Sequence, residues 1–178
     1  MLHRNPAPLT DWETVVREFA LLAFQTAWRI LGHRQDTEDA VQEALLEAFR
    51  AHQRGEVRNW GGLVQTAATC RALDRLRRRR KVEVLPADLP GQVNDGPDQI
   101  AQARELAQWL RNAVAGLPAR QAEVFSLRYF GELSNAEIAT ELKITSEAAA
   151  MALHKARASL ADLQNQSTSS NASRSAKP

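Results

Sequence analysis

The chain has 178 residues, 44% of them apolar and 25% charged, with 23 Lys and Arg against 21 Asp and Glu. That composition suits one ordinary or two small packed domains, and a single cysteine, Cys70, excludes an internal disulfide and a cysteine-based zinc module. No apolar run nears the ~18 residues of a membrane span, and the start MLHRNPAPLTDW lacks a signal peptide's apolar stretch, so a cytoplasmic chain without membrane insertion is expected.

Residues 12–31 carry Val15, Phe19, Leu22, Thr26 and Ile30 at helical spacing, with Thr10 or Asp11 placed to cap and Gly32 placed to stop the helix. Residues 37–52 predict a second helix, with Val41, Ala44, Leu45, Ala48 and Phe49 on one face and Asp39, Glu43, Leu46 and Arg50 on the other. Residues 53–62 hold three glycines and no period, so they read as a loop. A third helix is predicted from Leu63 to about Arg80, its apolar stripe being Leu63, Ala67, Cys70, Leu73 and Leu76.

The net charge of +2 conceals segregation. The end of the third helix, RLRRRRK at 75–81, has six basic residues and no acid, whereas residues 82–100 have four acids and no base. Such a cationic block can release counterions on nucleic acid, or can be a solvated helix end. Residues 82–100 also contain three prolines and two glycines and read as a linker. Helical periodicity returns at 101–115 and again after Leu117-Pro118. Ser134 and Glu137 have capping-box spacing. A last helix, with Ala149, Leu153, Ala156 and Leu160 as its stripe, runs from Ser146 to about Leu163, and residues 165–178 are polar and expected to be disordered. No strand pattern appears, so the expected fold is all-α: two small helical modules, 11–81 and 101–164, on a flexible linker.

Residues 135–163 have helix-turn-helix spacing, which by itself also fits an ordinary helical hairpin. Glu38, Asp39, Glu43 and Glu47 share a helix, but no Glu-x-x-His pair accompanies them and the four histidines follow no ligand spacing, so no metal site is expected. No phosphate loop, nucleophile elbow or His-Glu-x-x-His motif is present, so neither an enzyme nor a cofactor is expected.

Three segments together resemble the sigma-70 family of bacterial RNA polymerase sigma factors, in its extracytoplasmic-function (ECF) group. ILGHRQDTEDAVQEALLEAF is similar to the part of region 2 that docks on the polymerase clamp; the resemblance assigns core binding to Asp36, Asp39, Gln42, Glu43 and Leu46. VRNWGGLVQTAATCRALDRLRRRRK is similar to the part of region 2 that melts and reads the minus-10 element. It implies DNA contacts by Asn59, Trp60, Arg71, Arg75, Arg77 and Arg78. LPARQAEVFSLRYFGELSNAEIATELKI is similar to region 4, the minus-35 reader. There the implied DNA contacts are Arg120, Arg128, Thr145, Ser146, Ala148, Met151, Ala152, Lys155 and Arg157. The implied partners are core RNA polymerase, through its clamp and flap, promoter DNA, and a candidate anti-sigma factor.

Departures from the family pattern are local. Cys70 stands where Asn is usual, and Leu63 where Trp is usual, with Trp60 displaced into the loop. In the recognition helix Ala150 and Ala152 replace the common Lys and Arg, and Lys143 replaces the turn glycine. Alanine keeps the helix stable but reaches only a thymine methyl. Two other readings stay open at this level: a helix-turn-helix regulator acting without polymerase, and a helical interaction module with reduced DNA binding.

Overall fold

The computed structural model describes residues 12–55, 57–83 and 98–175, with side chains over 12–55, 57–80 and 101–166. Those residues form α1 (Trp12–Leu31), α2 (Arg34–Gln53), α3 (Trp60–Glu83), α4 (Asp98–Gly116), α5 (Ala119–Tyr129), α6 (Asn135–Glu141) and α7 (Ser146–Ser175). No strand occurs among the described residues.

The first module is a bundle of α1, α2 and α3. Its seams are lined by alanines: Ala23 and Ala27 from α1, Ala40, Ala44 and Ala48 from α2, and Ala68 and Ala72 from α3 are all buried. Small side chains let the helix axes approach closely, and Val15, Ile30, Val64 and Leu73 fill the remaining space. The α1–α2 corner is tight because Gly32 takes a φ of 63° while its N–H closes the last turn on the Trp28 carbonyl at 2.8 Å. His33 caps α2: its Nδ1 accepts from the Asp36 N–H at 3.4 Å. The helix therefore begins three residues before its apolar period does. Thr10 and Asp11, expected to cap α1, lie outside the described residues, as do residues 84–97 of the expected linker; its ends are helical instead, residues 82–83 closing α3 and 98–100 opening α4.

The second module is α4 to α7. Ile138 and Leu127 sit at its centre with Val114, Val124, Ala149, Leu153 and Ala156. The capping box is present in full: Ser134 N–H donates to Glu137 Oε2 at 2.8 Å, and Glu137 N–H donates to Ser134 Oγ at 3.3 Å. After α6 the chain reverses through Lys143 at φ 53°, with the Ile144 N–H bonded to the Ala139 carbonyl at 2.9 Å. This is the six-residue closure that usually takes glycine at the left-handed position. The turn adopts this left-handed conformation although the residue is lysine.

Three expectations are corrected. Trp60 is not in the loop; it opens α3 and is only 6% exposed. Helix α7 continues to Ser175, into the tail expected to be disordered. The two modules are not independent bodies on a tether: α3 packs on α4, α5 and α6, and one hydrophobic cluster runs through both modules.

Candidate functional site

The most organised charged feature lies between α2 and α3. The helices run antiparallel, so acids every three or four residues along α2 meet arginines every four along α3. Arg71 bonds Glu47 at 2.8 Å; Arg75 reaches Glu43 at 2.6 Å and Asp39 at 3.4 Å; Arg79 reaches Asp36 at 3.0 Å. The hydrogen bond to Glu47 also raises the Arg71 pKa. Asp36, Asp39 and Glu43 are thus engaged within the module, and so are Arg71 and Arg75. Arg77 is partly buried, and Arg78 points to solvent. Exposed pairs of this kind are worth ~0–1 kcal/mol each; the ladder chiefly sets the register of α3 on α2.

Beside the ladder, the outer surface of α1 and α2 forms an apolar groove of about 460 Å³, lined by Trp12, Val16, Gln42, Leu45, Leu46 and Phe49. Leu46 is 56% exposed there. Of the five residues assigned to polymerase docking, the groove holds the two uncharged ones, Gln42 and Leu46. The three acids line the ladder instead.

The minus-10 candidates part company. Asn59 is exposed; its Oδ1 accepts from the Gly62 N–H at 3.2 Å and caps α3. Trp60, one residue on, packs against Trp12 and His52 with ring centroids at 6.1 and 5.3 Å. It is a core residue and presents no free face to a base. Cys70, the departure in α3, is partly buried, and desolvation first, then nearby Glu123, pushes its thiol up to about 11. The thiolate is the reactive form, so alkylation by iodoacetamide at neutral pH is expected to be far slower on the folded chain than in urea; equal rates would contradict this burial. The same shift makes the fold lose stability as pH rises from 9.0 towards about 11, because the unfolded thiol ionises first.

In the second module, α6 and α7 form a helix-turn-helix. Thr145 caps α7, its Oγ1 accepting from the Ala148 N–H at 3.1 Å. Ser146, Ala148, Met151 and Lys155 are exposed along the outer face of α7, and Ala152 is partly buried. The arginines assigned to DNA have other contacts. Arg120 pairs with Glu123 at 3.0 Å, Arg128 donates to the Leu133 carbonyl at 3.0 Å, and Arg157 donates to Tyr129 Oη at 2.6 Å. Lys155 is the one assigned cation for which no such contact is seen among the described residues. No group of His, Cys, Asp and Glu that could hold a metal occurs among the described residues.

Residues 15–82 match the family model Sigma-70 region 2, and residues 107–160 match Sigma-70, region 4. The chain is 28% identical over 163 residues to the ECF RNA polymerase sigma factor SigE of Mycolicibacterium smegmatis, spanning 89% of this chain and 63% of that protein. It is 27% identical to SigW of Bacillus subtilis (77% of this chain, 80% of that one) and 31% identical to SigF of Caulobacter vibrioides (75% and 74%), both ECF sigma factors. Among solved structures, the sigma factor RpoE from Bartonella quintana, crystallised with the anti-sigma factor NepR, shares the fold. Its TM-score is 0.56 at 19% identity, covering 88% of this chain and 98% of that one.

Proposed function

Because this chain belongs to the ECF group of sigma-70 RNA polymerase sigma factors, we propose that it binds core RNA polymerase and directs it to specific promoters. The observation that carries this reading is the matching of both sigma regions, in order, to the two helical modules. The chain itself is read as no enzyme and as needing no cofactor; synthesis belongs to the polymerase.

Residues 11–81 are assigned to core binding and the minus-10 element, and residues 101–164 to the minus-35 element. Within the first module the groove at Gln42 and Leu46 is the better docking surface for the clamp. It offers desolvation energy, whereas Asp36, Asp39 and Glu43 already have partners. Asn59 is the base-contacting candidate, and Arg77 and Arg78 face the phosphates. In the second module Thr145, Ser146, Ala148, Met151 and Lys155 meet the major groove through a surface poor in cations, so the minus-35 contact is weak unless polymerase holds it in place. The likeness to RpoE, crystallised with NepR, supports an anti-sigma factor as a further partner. Location in the cytoplasm is consistent with the observation that no described helix is long and apolar enough to cross a membrane.

Run-off transcription with purified core polymerase on fragmented genomic DNA tests the reading. The expected result is a small set of transcripts that appear only when the chain is added. Absence of any chain-dependent transcript would favour a regulator that works without polymerase.

A further inference from the structure

Helix α7 is the second helix of the helix-turn-helix, the one that in such units lies in the major groove and meets base edges with its N-terminal residues. It packs on α4, α5 and α6 through the buried stripe Ala149, Leu153, Ala156 and Leu160. At ~100° per residue, the side of the helix opposite that stripe is centred on Met151. Met151 is 56% exposed, a large apolar side chain held out at the tip of the outer face. Ala148 and Ala150 beside it are exposed, and Ala152 is half-buried.

The first turns of α7 lack the side chains that read bases by paired hydrogen bonds: from Ser146 to Ala152 there is no Arg, Lys, Asn or Gln. The one acid there, Glu147, is turned back on the helix start, where its own backbone N–H and the Thr145 hydroxyl bond it and lower its pKa. Arg157 is committed to Tyr129, through the hydroxyl at 2.6 Å and with its guanidinium 5.5 Å from the ring centre. His154 and Lys155 are exposed but stand one turn after Met151, past the residues that meet base edges.

Of the four bases only thymine presents an apolar group in the major groove, its C5-methyl. The other three offer hydrogen-bonding groups at those positions, which Met151 would strip of water without replacing the bonds. An unbranched thioether is flexible and polarisable enough to cover a methyl, and the small side chains at 148 and 152 let the helix come close. We propose that Met151, with Ala148 and Ala152 at its sides, reads the minus-35 element through a thymine methyl, so that this chain selects thymine where an arginine at the same face would select guanine. The proposal deepens the promoter-specificity reading above and rests on it.

The test uses the full chain with core polymerase, on a promoter that run-off transcription has shown to depend on the chain. Its minus-35 element is randomised and the transcribed templates are sequenced. A thymine selected there is then replaced by deoxyuridine, which removes the methyl and keeps every hydrogen-bonding group. A fixed thymine is expected among the selected templates. At limiting holoenzyme the deoxyuridine template is expected to initiate about fourfold less often, the effect of losing one buried methyl. With Met151→Ala the two templates should initiate equally. The readout is a ratio within one variant, so a lower active fraction of that variant does not move it.

No selected thymine, or equal initiation from both templates with the parent chain, overturns the proposal and turns Met151 towards a protein partner. A deoxyuridine effect that persists in Met151→Ala also overturns it, because the methyl would then act through DNA shape or another side chain. Absence of any chain-dependent transcript strikes the promoter-specificity reading; chain-dependent transcription that ignores the methyl strikes only the thymine contact.

Discussion

Trp60→Ala is expected to cost roughly 3–5 kcal/mol of stability, the usual range for truncating a buried aromatic. Trp60 is 6% exposed and is held by Trp12 and His52, and Trp12 in turn packs edge-on against Phe49 at 5.0 Å. The indole therefore ties the start of α3 to the start of α1 and the end of α2. Its loss leaves a cavity at the point where three helices converge. Domains of this size are stable by about 5–15 kcal/mol, so the variant should unfold at much lower urea, and Trp60→Phe should recover most of the difference. An unchanged midpoint would restore the sequence-level reading of Trp60 as an exposed residue waiting for a base.

Leu46→Arg is expected to leave the fold intact and to weaken core-polymerase binding by roughly 30-fold or more. A 56% exposed leucine contributes little to folding, and surface substitutions of this kind stay within about 0.5 kcal/mol. In the groove proposed to dock the clamp, which Leu46 lines, the same change buries an unpaired charge in the complex. An unpaired charge forced into a desolvated hot spot costs about 2 kcal/mol or more, roughly a 30-fold loss of affinity. The paired measurement is a thermal melt and a titration of labelled chain with core polymerase. Binding at parental affinity would move the docking surface elsewhere.

Charge reversal at Asp39 and Glu43 does not make the same distinction. Both acids face Arg75, whose side chain is only 23% exposed, so reversing them sets like charges together inside the ladder. Any loss of binding would then be mixed with a loss of α2–α3 register. A residue pattern alone reads those acids as free, because a helical wheel shows which residues share a face but not which neighbour covers it.

The all-helical class, the order of the elements and the positions of most buried stripes were legible in the chain, because amphipathic period and local caps depend on neighbours three or four residues away. The capping box at Ser134 and the stop at Gly32 are of that kind. The residues that mark the sigma family are short local motifs for the same reason. Pairing between helices was not legible. The arginine–carboxylate ladder joins residues 24 to 43 positions apart. The docking of the two modules joins residues 66 to 103 apart. A one-dimensional period carries no information on which faces meet, so Trp60 passed for a loop residue and the pairing of Arg75 with Asp39 and Glu43 did not show.

What the sequence by itself determined is a helical chain with two sigma regions and a cationic segment between balanced parts. What only the tertiary structure decided is which of those charges remain available. Most of the named arginines of α3 and of the second module are tied to carboxylates, carbonyls or a phenol within hydrogen-bond distance, and Asn59 is held by Glu141. The physical reason is that a charge acts on a partner only when it is not already neutralised and desolvated by its own fold, and that balance is set by contacts between elements far apart in the chain.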